Sequence, residues 1–77
     1  MKKIILYGVS GCPFCHKTRE YFKNKGVNFE DIDVSESPEK AKEMVEKSGQ
    51  MSVPVIDFKG EIIIGFDQDR LEELTEV

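Results

Sequence analysis

The chain has 77 residues, 39% hydrophobic and 34% charged, with a formal net charge of -4. That length leaves room for one small domain, residues 1–77, which buries only roughly 60% of the surface its unfolded chain exposes. The mild acidity lacks the basic total or stripe expected of a nucleic-acid binder, and no apolar run is long enough to span a bilayer.

The opening Met1-Lys2-Lys3-Ile4-Ile5-Leu6-Tyr7-Gly8 imitates the charged start of a signal peptide, but its apolar run is too short and no small-residue cleavage site follows. It reads as a strand at 3–7, and the unbroken apolar run Ile4 to Tyr7 fits a central position buried on both faces. The expected location is the cytoplasm. There a lasting structural disulfide is disfavoured, and a cysteine pair is catalytic, redox-sensing or metal-binding.

A small turn, Gly8 to Gly11, leads into Cys12-Pro13-Phe14-Cys15, which holds both cysteines of the chain. From Pro13 to about Lys25, Cys15, Thr18 and Phe22, flanked by Phe14 and Tyr21, recur at helical spacing with charges on the other side. Pro13 suits a first helical position, where its missing N–H costs nothing, and Gly26 suits the position just past the end. The first helix therefore begins on the cysteine motif itself. Lys17, Arg19, Lys23 and Lys25 make this segment basic, while the tail from Asp67 to Glu76 is acidic. Lys17 and Arg19 are expected to point into solvent and to add little at the cysteines.

Val27, Phe29, Ile32 and Val34 predict a second strand at about 28–33, although the apolar alternation changes parity between Phe29 and Ile32. Ser37-Pro38 reads as an N-cap with proline at the first helical position. Ala41, Met44, Val45 and Ser48 then carry a helix over 38–48, ending at Gly49. Val55-Ile56-Asp57-Phe58, Lys59-Gly60 and Glu61-Ile62-Ile63-Ile64 form a hairpin with glycine in its turn. Asp67 caps a last short helix carrying Leu71 and Leu74. The order β-α-β-α-β-β-α predicts an α/β fold: a four-stranded mixed sheet with a right-handed parallel crossover, an antiparallel hairpin and helices on both faces.

Thiol–disulfide exchange needs one thiolate to attack and a second thiol to resolve the mixed disulfide. Cys12, at the helix start, sits where unpaired N–H groups and the helix dipole favour an anion, which makes it the candidate nucleophile. Cys15, one turn further in and more buried, suits the resolving role. Several other readings compete. Two cysteines can serve as small core residues, but the strand-turn-helix context favours chemistry. Cys12-Pro13-Phe14-Cys15-His16 also fits the pattern for covalent haem attachment; the lack of an export signal, the strand leading in and the β-rich second half weigh against it, and His16 reads as an exposed first-turn residue. Structural zinc usually takes four ligands, whereas the chain offers two cysteines and one histidine, so no metal site is expected within one copy.

The strand into Cys12-Pro13-Phe14-Cys15, the segment Ser52-Val53-Pro54, and Gly65-Phe66-Asp67 before the last helix together make the chain resemble a glutaredoxin-type member of the thioredoxin-fold superfamily, over nearly its whole length. The resemblance implies a thioredoxin fold and a cis peptide bond between Val53 and Pro54 facing the cysteines. It also implies that the Val53 backbone pairs with a substrate's extended chain. Relatives hold glutathione with a basic residue three positions before the first cysteine, an aromatic inside the motif, the cis-proline segment, and a Gly-Gly pair followed by an aromatic and Asp. Phe14, Val53, Gly65 and Asp67 match; Val9 stands at the basic position and Ile64 at the first glycine. The single glycine is also similar to glutaredoxin-like proteins that serve ribonucleotide reductase and draw electrons from thioredoxin reductase.

The resulting expectation is a cytosolic, monomeric dithiol–disulfide oxidoreductase that reduces protein or glutathione-mixed disulfides through Cys12 and Cys15. It would hold no cofactor tightly and would be recycled by glutathione or by a thioredoxin-reductase-type flavoenzyme. The alternatives from other classes are a carrier of metal or an iron–sulfur cluster between two copies, and a redox-sensing binding module.

Overall fold

A computed structural model of the chain describes residues 4–75, so the first residue of the predicted 3–7 strand and Glu76 of the acidic tail lie outside the described residues. Seven elements follow in the predicted order: β1 (Ile4–Gly8), α1 (Pro13–Asn24), β2 (Glu30–Asp33), α2 (Pro38–Ser48), β3 (Val55–Phe58), β4 (Glu61–Ile64) and α3 (Gln68–Thr75). The sheet order is β2-β1-β3-β4. β1 pairs parallel with β2, through the crossover helix α1, and antiparallel with β3, which forms the hairpin with β4. This is the mixed sheet that the sequence predicts.

The apolar run of β1 earns it an interior place with a core on each side. Ile4 and Leu6 join Phe22 of α1, Ile56, Phe58 and Ile63 of the hairpin, and Leu71 of α3 on one face. Tyr7 joins Met44 of α2 and Val55 on the other. The α1 positions read as its inner stripe, Cys15, Thr18 and Phe22, are its buried residues. The Thr18 hydroxyl is satisfied within the helix by donating to the Phe14 carbonyl at 2.8 Å.

β2 is two residues shorter at its start than predicted, and the parity change has a physical origin. Val27 and Phe29 pack under α1 and α3, whereas Ile32 and Val34 pack under α2. The backbone alternation is regular; the segment changes the face to which it contributes apolar bulk. The caps of α2 form as read, with the Lys40 N–H donating to Ser37 Oγ at 3.3 Å and Gly49 left-handed at φ 77°. In the hairpin turn Asp57 Oδ1 accepts the Gly60 N–H at 2.8 Å.

The pairing brings three loops to one end of the sheet. Tyr7 lies opposite Val55, and Val55 opposite Ile64. The end of β1, the start of β3 and the end of β4 therefore lie side by side, and the segments 9–12, 53–54 and 65–67 all emerge there.

Candidate active site

The first turn of α1 is built on the cysteine motif. Cys12 is the N-cap, in extended conformation, with Pro13 at the first helical position. Helix starts leave N–H groups without intrahelical partners, and a side-chain oxygen usually accepts one of them. Here the Cys12 sulfur takes that place and accepts the Cys15 N–H at 3.3 Å. The two cysteines are not joined by a disulfide; Cys12 is half-buried and Cys15 fully buried. The first stands half-buried at the helix start, and the second is packed against Gly8 of the sheet.

Cys15 owes its depth to Gly8. A Cβ placed on Gly8 would stand 2.8 Å from Cys15 Sγ and 3.2 Å from its Cβ, closer than packed side chains allow. Glycine in a strand often marks such a close approach, and here it lets the thiol settle onto β1. Burial, and then a hydrogen bond with Cys12, push the Cys15 thiol up to about 11. At neutral pH it holds its proton next to the Cys12 sulfur.

Phe14 projects from the motif at 55% exposure, with Lys17 Nζ above its ring at 5.3 Å. The Val53–Pro54 peptide bond is cis, as the resemblance implies; Pro54 is buried and Val53 half-buried against the α2-side core. Gly65, left-handed at φ 79°, donates its N–H to the Pro54 carbonyl at 2.8 Å, tying the β4 exit to the proline loop. Asp67 is exposed, and its carboxylate caps α3 by accepting the Arg70 N–H at 3.2 Å. Phe66 beside it meets Tyr21 of α1 edge-on, ring centroids 6.0 Å apart, and Tyr21 Oη lies 3.2 Å from Thr75 Oγ1. The site residues thus fall into two linked groups. Cys12, Phe14 and Cys15 sit on one turn of α1, while Val53, Pro54 and Gly65 form one bonded loop pair at the same end of the sheet. Asp67 stands at the margin, engaged in its own helix. His16 stays on the exposed side, its Nε2 3.1 Å from the Ser10 carbonyl oxygen.

Two residues carry more than the sequence reading gave them. Gly8 appeared there only as the start of a turn, although its place at the end of an apolar strand hinted at close packing. Arg19 was expected in solvent; instead its side chain is only 14% exposed and its Nε donates to Asp31 Oδ2 at 2.7 Å. Arg19 turns inward because it lies one turn beyond Cys15 on the same helical face, with Asp31 of β2 within bonding reach. Lys17 does remain exposed.

Val9 is half-buried, and Ile64, at the margin of the loop pair, is half exposed; neither is the cation or the glycine that the resemblance implies for glutathione binding. Among the described residues no three or more His, Cys, Asp or Glu side chains gather where they could hold a metal ion. No helix among them is long and apolar enough to cross a membrane.

Comparison with known proteins covers most of the chain. A family model described as Glutaredoxin matches residues 4–63. An uncharacterised glutaredoxin-like 8.6 kDa protein from the rubredoxin operon of Clostridium pasteurianum is 40% identical over 73 residues, covering 95% of this chain and 97% of that protein. Among solved structures, glutaredoxin from Archaeoglobus fulgidus superposes with a TM-score of 0.86 at 32% identity, covering 100% of this chain and 89% of its own. The glutaredoxin-like NrdH-redoxin from Escherichia coli gives 0.83 at 30% identity, covering 94% and 93%.

Proposed function

The chain belongs to the glutaredoxin family of thiol–disulfide oxidoreductases, and from that premise we propose that Cys12 attacks disulfides of protein substrates and Cys15 resolves the product. The Cys12 thiolate bonds to one substrate sulfur and displaces the other as a thiolate. Cys15 then attacks Cys12 Sγ, forming the Cys12–Cys15 disulfide and releasing the second substrate sulfur. Two electrons pass from the dithiol to the substrate, and both substrate thiolates take up protons. The observation that carries this assignment is the asymmetry of the pair: the Cys12 sulfur caps the helix at the surface, while Cys15 is buried behind it and protonated at neutral pH.

Phe14, Val53, Pro54 and Gly65 frame the place where the substrate docks. An extended substrate segment would pair with the Val53 backbone beside the cis bond, a mode of recognition that reads main chain more than side chains. Asp67 would act at most at its edge, because its carboxylate already caps α3.

Glutaredoxins as a family draw on glutathione as reductant. For this member we assign recycling to a thioredoxin-reductase-type flavoenzyme. Val9 removes a carboxylate-binding cation, and the Ile64 side chain occupies the place of a glycine. The similar NrdH-redoxin is itself described as having a thioredoxin-like activity profile. The protein would act as a cytoplasmic monomer.

One turnover assay tests the reading. Reduction of a protein disulfide is followed with thioredoxin reductase and NADPH, and separately with glutathione, its reductase and NADPH. The wild type is expected to turn over faster with the first set. Cys12→Ser abolishes turnover with both, and Cys15→Ser accumulates a Cys12-linked mixed disulfide visible by mass spectrometry. A mixed disulfide trapped on Cys15 in the Cys12→Ser protein would reverse the roles, and faster turnover with glutathione would reverse the donor.

A further inference from the structure

Gly8 marks a point on β1 that two side chains of α1 approach together. A Cβ there would lie 2.8 Å from Cys15 Sγ and 3.5 Å from a terminal nitrogen of Arg19. The thiol and the guanidinium therefore flank one spot on the strand, no farther apart than the sum of those two distances. Arg19 does not reach this spot as a loose surface chain. Its Nε is held by Asp31 at 2.7 Å and its side chain is 14% exposed. Asp31 is the register partner of Leu6, so β2 presents it on the same face as Leu6 and Gly8. With Nε bound to Asp31, a terminal nitrogen still comes within 3.5 Å of the Cβ position at Gly8.

We propose that Arg19, anchored by Asp31, is a positioning residue for the resolving step, its guanidinium placed beside Cys15 to favour the thiolate that attacks the mixed disulfide. The proposal rests on the reading that Cys15 resolves. In that step Cys15 gives its proton to water and attacks Cys12 Sγ. The Cys12–Cys15 bond forms, the bond from Cys12 Sγ to the substrate sulfur breaks, and the departing thiolate takes a proton from water. No outside oxidant is needed, because the substrate disulfide supplies the oxidising equivalents.

The difficulty of the step is that a buried sulfur must become negative. Desolvation opposes that charge, and a nearby cation offsets the opposition more effectively in a dry site than in water. Burial and Cys12 hold the Cys15 proton on, while the Val9 backbone hydrogen bond and, to a smaller extent, the Arg19 charge act in the other direction. The groups that face the thiol are thus Cys12 and Arg19 of α1 and the backbone at Gly8 and Val9. Beyond the guanidinium lie Asp31 and Asp33 of β2, both interacting with Arg19.

The step can be isolated by mixing reduced protein with an equimolar aromatic disulfide, dithiobis(nitrobenzoate), and following release of the coloured thiolate by stopped flow. The first release reports attack by Cys12, and the second reports displacement by Cys15. Arg19→Leu is expected to slow the second release about tenfold at neutral pH and to move its pH midpoint up by about one unit, with Arg19→Lys restoring most of both. A structural role alone would not move that midpoint or be rescued by the second cation. Asp31→Asn loosens the anchor but keeps the charge, and is expected to slow the second release by a smaller factor; it remains readable if Arg19→Leu fails to fold. An unchanged second release and pH profile in either folded variant overturns the proposal. A single release from the wild type, or a second release persisting in Cys15→Ser, would instead overturn the resolving role of Cys15.

Discussion

The two faces of the sheet use burial in opposite ways. Under α1 and α3 the core is apolar and aromatic: Phe22 lies 5.1 Å from Phe29 and 6.4 Å from Phe58, centroid to centroid. Under α2 a chain of ionisable groups crosses the packing. The Tyr7 hydroxyl donates to Glu43, and Lys47 Nζ donates at 2.8 Å to both Tyr7 Oη and Asp57 Oδ2. Burial works against the Lys47 charge, but its hydrogen bonds to Asp57 and Tyr7 overcome it and hold the ammonium above its usual range. Cys15, on the other face, is pushed up by burial and by its hydrogen bond with Cys12, and keeps its proton. Desolvation acts on both groups; what differs is whether the hydrogen-bonded partners favour the charged form, as Asp57 does for Lys47, or the protonated one, as Cys12 does for Cys15.

The contrast predicts that the aromatic face carries more of the stability. Phe22→Ala removes the side chain at the centre of that face and is expected to cost about 3–5 kcal/mol, read as a lowered urea midpoint. A loss under about 1 kcal/mol would mean that the α2 side dominates.

A pH titration of stability probes the same face through its thiol. The folded-state value of Cys15 lies above that of a free thiol, about 8.5, so the unfolded chain ionises first and unfolding releases a proton. Its contribution is therefore full below about 8.5 and is lost as pH rises toward about 11. The reduced wild type should lose stability across that window faster than Cys15→Ser, as measured by chemical denaturation at stepped pH. Parallel curves would show that Cys15 ionises no later in the fold than outside it.

The smallest effect is expected on the polar face. Tyr7→Phe keeps the ring and removes only the hydroxyl shared by Glu43 and Lys47. Because Lys47 retains Asp57 and Glu43 is partly solvated, the cost should be about 0.5–1.5 kcal/mol, with turnover unchanged. A larger loss would make this network, rather than the aromatic cluster, the organising feature of the molecule.

Much of this architecture could be read from residues in order. The period of α1, the caps at Ser37 and Gly49, the Lys59-Gly60 turn and the interior place of β1 are local patterns, and local sterics and hydrogen bonding enforce them. β2 was read less sharply because its apolar residues divide between two cores, and a one-dimensional pattern does not say which face a residue serves. Arg19 was misplaced for a related reason. A long cation on a helix is usually solvated, and only Asp31, brought beneath it by the parallel pairing of β1 with β2, turns it inward.

The sequence alone therefore determined the cysteine pair and its place at a helix start, because those depend on residues within a few positions of one another. Tertiary structure decided what surrounds the pair. It set Pro54 and Gly65 at the same end of the sheet through strand register, sank Cys15 against the bare backbone of Gly8, and drew the Arg19 guanidinium beside it. Each of these requires two segments distant in the chain to meet, and the meeting is governed by sheet pairing and packing rather than by local propensity.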